Sequence, residues 1–126
     1  MATRCYIGIV NPLLSVDFVY CHWDGYPDYT GRMLIDNYND HDKAATLLRR
    51  GDISSLAATA DDTQYIFDDD VVRYPMSFKS ITLFKDYLKD TSHIEYAYLY
   101  DRDQWTAYNN AGDRIDLSYL QSHNDR

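Results

Sequence analysis

The chain has 126 residues, of which 45% are hydrophobic and 25% charged, and this length suits a single domain spanning 1–126. A formal charge of −8 removes the counterion-release term that drives binding to long nucleic acid, and it disfavours anionic membrane surfaces for the same reason. No charged-then-apolar leader opens the sequence and no apolar run reaches membrane-spanning length, so a cytoplasmic protein is expected, with Cys5 and Cys21 both reduced.

In chain order, RCYIGIV (4–10) and VDFVYCH (16–22) are β-rich runs separated by NPLLS, which predicts an antiparallel hairpin. Period-two alternation places Cys5, Ile7 and Ile9 on one face of the first strand. In the second strand Val19 and Cys21 oppose Phe18, Tyr20 and His22, so the two thiols are expected to be core neighbours. WDGYPDYTG breaks the strand, because Asp-Gly turns the chain and Pro27 stiffens the exit. Trp23 and Tyr26 are expected to pack against the helix that follows. GRMLIDNY (31–38) reads as that helix, capped by Asp28 or Thr30, and 42–51 as a second, capped by Asn39 or Asp40 and closed by Gly51. Residues 57–77 carry acidic clusters around QYIF and VV, which predicts a loop with one or two short strands. A third helix begins at Ser77 or Ser80 and runs to Lys89, with Ile81, Phe84, Tyr87 and Leu88 at helical spacing. IEYAYLY (94–100) and WTAYN (105–109) form a second hairpin across DRDQ, NAGD turns again, and RIDLSYLQ ends as a strand or a short helix. Without βαβ alternation the class is α+β: an antiparallel sheet built from two terminal hairpins, with helices on one face.

Catalytic patterns are absent from this sequence. There is no G-x-S-x-G, and His22, His41, His93 and His123 stand in unrelated contexts. Cys21 and His22 are strand neighbours that point to opposite faces, which defeats a dyad. His22-x-Asp24 lacks the further ligands a metal requires, and Asp68, Asp69 and Asp70 lack the glycine and spacing of a calcium loop. The five glycines do not cluster into a phosphate cradle. No enzyme, metal or cofactor is therefore expected.

Thirteen tyrosines are what composition leaves to be explained. Tyr96, Tyr98 and Tyr100 share one face of their strand, opposite Ala97 and Leu99. Beside Arg102, Trp105 and Arg114 this strip has three readings: core against the helices, a subunit interface, or a platform that stacks a base while an arginine pairs with phosphate. For the third reading the ligand-binding candidates are Tyr98, Tyr100, Arg102, Trp105 and Arg114, with Arg4 and His22 as outlying members.

YCHWDGYP, GRMLIDNYND, LLRRGDISSL and EYAYLYDRDQW together resemble a family of small phage proteins, the Thoeris anti-defence proteins of the sponge type. The resemblance covers residues 3–56 and 94–109. It implies a homo-oligomer, a hexamer, acting in the host cytoplasm to sequester the cyclic nucleotide signal glycocyclic ADP-ribose without cleaving it. Cyclic oligonucleotides are a further implied ligand for some relatives. An RDRGE-like segment of many relatives is replaced here by DDDVVRYPMS, which bears on ligand identity. The competing reading is a phage-encoded interaction protein that blocks a host defence protein.

Overall fold

The computed structural model describes residues 3–66, 76–91 and 93–122. Residues 67–75, which hold Asp68, Asp69, Asp70 and most of DDDVVRYPMS, lie outside the described residues, as does His123.

Strands β1 (Cys5–Val10) and β2 (Val16–Cys21) pair antiparallel, with Cys5 opposite Cys21 and Val10 opposite Val16. After β2 the chain makes a π-helical turn at Pro27–Gly31, which runs straight into α1 (Arg32–Asn37). Neither Asp28 nor Thr30 caps α1, because the turn already supplies helical backbone ahead of it. Helix α2 (His41–Arg49) begins at Asp40, whose side chain accepts from the Lys43 N–H, and ends at Gly51 with φ of +95°. Strands β3 (Ile53–Ser55), β4 (Gln64–Tyr65) and β5 (Met76–Phe78) lead to α3 (Ile81–Asp90), capped by Ser80. Strands β6 (Tyr96–Asp101), β7 (Gln104–Asn109) and β8 (Arg114–Ile115) precede α4 (Ser118–Ser122).

Among the described residues one open, mostly antiparallel sheet of eight strands results, in the order β4-β3-β2-β1-β6-β7-β8, with β5 also pairing β2. The first and last thirds of the chain meet along β1 and β6, which run parallel with Ile7 beside Tyr98. On the outer side of β2, β5 pairs with Val16–Phe18 and β3 with Cys21. Between them Asp52 Oδ1 accepts the Tyr20 N–H at 3.0 Å, filling a gap in the ladder.

Helices cover both faces of the sheet, not one. Cys5, Ile7, Val19, Cys21, Tyr98, Trp105 and Ala107 pack beneath Leu34 of α1, Leu47 and Leu48 of α2 and Leu120 of α4. On the other face Tyr6, Phe18, Ala97, Leu99 and Tyr108 pack beneath Phe84 and Leu88 of α3. The reason is visible in β1: all six of its residues are buried, so both of its faces need cover. Burial of the facing thiols pushes the Cys5 pKa well up, and both cysteines are free.

Candidate functional site

The second hairpin divides the expected binding residues into two kinds. Tyr98 is fully buried and its hydroxyl donates to the Gly25 carbonyl at 2.7 Å. Trp105 Nε1 donates to the Tyr38 carbonyl at 2.8 Å, and Tyr100 meets the Trp105 ring edge-on at 5.3 Å. Tyr100 is also buried, its hydroxyl directed at the Asn39 carbonyl 3.4 Å away. These rings form the core beneath the helices, so no base can stack on Tyr98 or Tyr100. The structure selects the core reading of the strip over the stacking one, because α1, α2 and α4 occupy the space above it. Burial raises the pKa of both phenols.

Arg102 stands at the hairpin tip with φ of +49°, followed by Asp103 at +68°. Its side chain is 89% exposed and lies 3.5 Å from the Asp101 carboxylate. Arg114 is different. Strand β8 pairs with β7 only at Ala107 and Tyr108, after which the chain leaves the sheet toward α4. The outer edge of Gln104–Thr106 is consequently left without a strand partner among the described residues. There a groove of about 400 Å³ opens, walled by Gln104, Thr106, Arg114, Asp116 and Ser118, with Trp105 at its base. Asp116 Oδ1 accepts from the Ser118 N–H at 2.8 Å, and hydrogen bonding to Ser118 holds its carboxyl below the usual range. A guanidinium, the Asp116 carboxylate that it helps to hold charged, side-chain amide and hydroxyl donors, and an open strand edge thus share one recess. A second recess of about 470 Å³ beside α1 and α2 carries Asp36 and Asp42 against a single Lys43, the wrong balance for an anion.

Arg4 and His22, the outlying candidates, are brought together elsewhere. Arg4 Nε donates to Tyr20 Oη at 3.1 Å, and Tyr20 Oη lies 2.6 Å from His22 Nδ1. Trp23, expected to pack against the first helix, is instead 44% exposed and meets His22 edge to face; Tyr26 is 40% exposed. The loop is held from beneath by smaller groups. Gly25 donates to the Thr3 carbonyl at 2.8 Å, and a Cβ there would come within 2.7 Å of that oxygen and 2.9 Å of Cys5 Cβ. Thr30 Oγ1 donates to the Asp24 carbonyl and Tyr98 to that of Gly25, so polar bonds hold the turn without Trp23. Tyr20 and Trp23 were missed as site members. The hairpin register contains the signal for Tyr20: with Cys5 opposite Cys21, Arg4 falls opposite His22 and beside Tyr20.

Fold and surface together define a small α+β chain with a ligand-sized groove at one sheet edge and an aromatic–cationic cluster on the β1–β2 hairpin. Comparison with family models, curated proteins and solved structures returned no match. Among the described residues no group of acidic, histidine and cysteine side chains is placed to hold a metal, and no helix is long and apolar enough to cross a membrane.

Proposed function

We propose that the protein is a phage-encoded counter-defence protein that binds a cyclic nucleotide signal, glycocyclic ADP-ribose, and holds it without cleavage. The observation that carries this reading is the groove at β7 and β8. Its volume of about 400 Å³ falls in the range of small-molecule sites, and Arg114 supplies a fork for a phosphate beside donors that suit a sugar edge. The resemblance of YCHWDGYP and its companion motifs to the sponge proteins supplies the ligand class and a hexameric assembly. Net acidity does not oppose it, because a local guanidinium suffices for one pyrophosphate.

The test is retention followed by release. Protein mixed with glycocyclic ADP-ribose is passed through gel filtration, denatured by heat, and the freed ligand is weighed by mass spectrometry. Intact ligand released in proportion to protein supports sequestration; a cleaved product or no retained ligand overturns it. Arg114→Ala should weaken binding about ten- to hundred-fold, the effect of removing one charge-assisted phosphate contact. Native mass spectrometry of the same sample reports assembly, and a monomer would remove the hexamer.

One observation favours the interaction-protein reading. Leu13 and Leu14, at the tip of the first hairpin, are 91% and 62% exposed. Exposed leucines on an acidic protein suit a host partner or a second copy, and a Leu13→Asp, Leu14→Asp variant separates this reading from the first. Under sequestration its ligand retention is unchanged as long as native mass spectrometry shows the wild-type assembly.

A further inference from the structure

A second place where the fold gathers chemistry-bearing side chains lies across the sheet from the groove. The strand order separates them: Arg4, Tyr20 and His22 belong to the β1–β2 hairpin, and β6 stands between β1 and the groove strands β7 and β8. The phenol oxygen of Tyr20 accepts from the Arg4 guanidinium and pairs with His22 Nδ1. In the tautomer in which the phenol donates to Nδ1, the imidazole carries its proton on Nε2, as a donor directed away from Tyr20. Arg4 uses only Nε in this contact, and its two Nη groups form the fork beyond it.

Trp23 stands next to this pair, its ring 4.7 Å from that of His22 at an interplanar angle of 89°. Its backbone is fixed, with Trp23 N–H donating to the Ser54 carbonyl at 3.1 Å and the next turn tied to Thr3. An indole that is half-exposed on a rigid backbone contributes little to the core and offers a preordered stacking face. Acidic residues neighbour the donors along the chain pairing: Glu95 donates its backbone N–H to the Arg4 carbonyl, and the Asp52 carboxylate accepts from the Tyr20 N–H. With two acidic residues nearby, one negative charge on a ligand is matched better than two.

We infer that Arg4, Tyr20, His22 and Trp23 form a binding site for a small aromatic monoanion, a flat ring bearing a carboxylate. The ring lies against the Trp23 indole, and the carboxylate takes the Arg4 fork and the His22 Nε2 proton. This site is independent of the groove and of the sequestration reading.

The two tryptophans provide the test. Fluorine NMR of protein labelled with fluorotryptophan gives one signal from Trp23 and one from the buried Trp105, and Trp23→Ala assigns them. Titration with naphthoate is expected to move the Trp23 signal saturably and leave Trp105 in place. The neutral naphthylmethanol should bind about ten- to hundred-fold more weakly, and Arg4→Gln should lose the same factor for naphthoate. An unshifted Trp105 signal certifies the core of that variant; if it shifts, calorimetry on Trp23→Ala replaces it and should show the naphthoate heat lost. Arg114→Ala should bind naphthoate as wild type does, even if it no longer holds a nucleotide. Equal binding of alcohol and acid, or wild-type affinity in Arg4→Gln, overturns the proposal. So does a Trp23 signal that follows protein concentration and ignores naphthoate, which would place the indole between copies of the chain.

Discussion

The two aromatic strips of this protein have the same spacing in sequence and opposite fates in space. On β6, Tyr98 and Tyr100 are buried and direct their hydroxyls to backbone carbonyls of distant loops. At the end of β2, Tyr20 and His22 keep company with Arg4 and an exposed Trp23, through contacts between side chains. The face of β6 that holds the tyrosines lies under α1, α2 and α4, whereas α3 covers the other sheet face around Tyr6 and Phe18 and leaves Trp23 half-exposed. Aromatic periodicity marks a face, and what stacks on that face decides whether the ring is structure or surface.

Alkaline titration should break the comparison most severely. Burial raises the phenol pKa of Tyr98 and Tyr38, and that of Tyr65 from 10.0 to about 12. A phenol whose pKa is higher in the folded state contributes stability that is fully present below the unfolded value and lost as pH rises through the folded one. Thermal midpoints should therefore hold steady up to pH 10 and fall steeply toward pH 12. Burial also raises Tyr20, but the Arg4 hydrogen bond opposes it, so Tyr20 should ionise before Tyr98. Ultraviolet difference titration of the Tyr20→Phe and Tyr98→Phe variants checks the order; simultaneous ionisation would remove the distinction between the strips.

Substituting the two tryptophans sharpens it next. Trp105→Ala should destabilise by about 3–5 kcal/mol, as a large-to-small change in the core with the Tyr38 carbonyl left unpaired. Trp23→Ala should change stability by about 0.5 kcal/mol or less. Denaturant melts measure both, and similar midpoints for the two variants would contradict the assignment.

Gly25→Ala comes third. Its Cβ would press on the Thr3 carbonyl and Cys5, where backbone has to give, and a loss of about 1–3 kcal/mol is expected. The same melts read it, together with retention of the Trp23 signal.

The smallest effect is a gain. Arg102 and Asp103 both occupy positive φ at the tip of the second hairpin without a glycine or asparagine to favour it. Asp103→Gly should stabilise by about 1 kcal/mol and leave every proposed binding measurement unchanged.

Much of the local order was legible in the sequence. The strand runs at 4–10 and 94–100, the caps at Asp40 and Ser80, and the stop at Gly51 depend on residues within a turn or two of one another, where propensity and hydrogen bonding act directly. Even the double-sided cover was latent in CYIGIV, an unbroken apolar run where a half-exposed strand would alternate. The parallel junction of β1 with β6 was not legible, since it joins residues some ninety positions apart through contacts that no local pattern encodes. The same holds for the site. Tyr98, Tyr100 and Trp105 carry the chemistry of a stacking platform, and only the packing of three helices above them made it core. Arg114 borders a groove because β8 is two residues long and the chain then turns away, a fact of topology. Residue type and period thus determined which side chains share a face; burial, which depends on everything else that folds over that face, was decided by the tertiary structure alone.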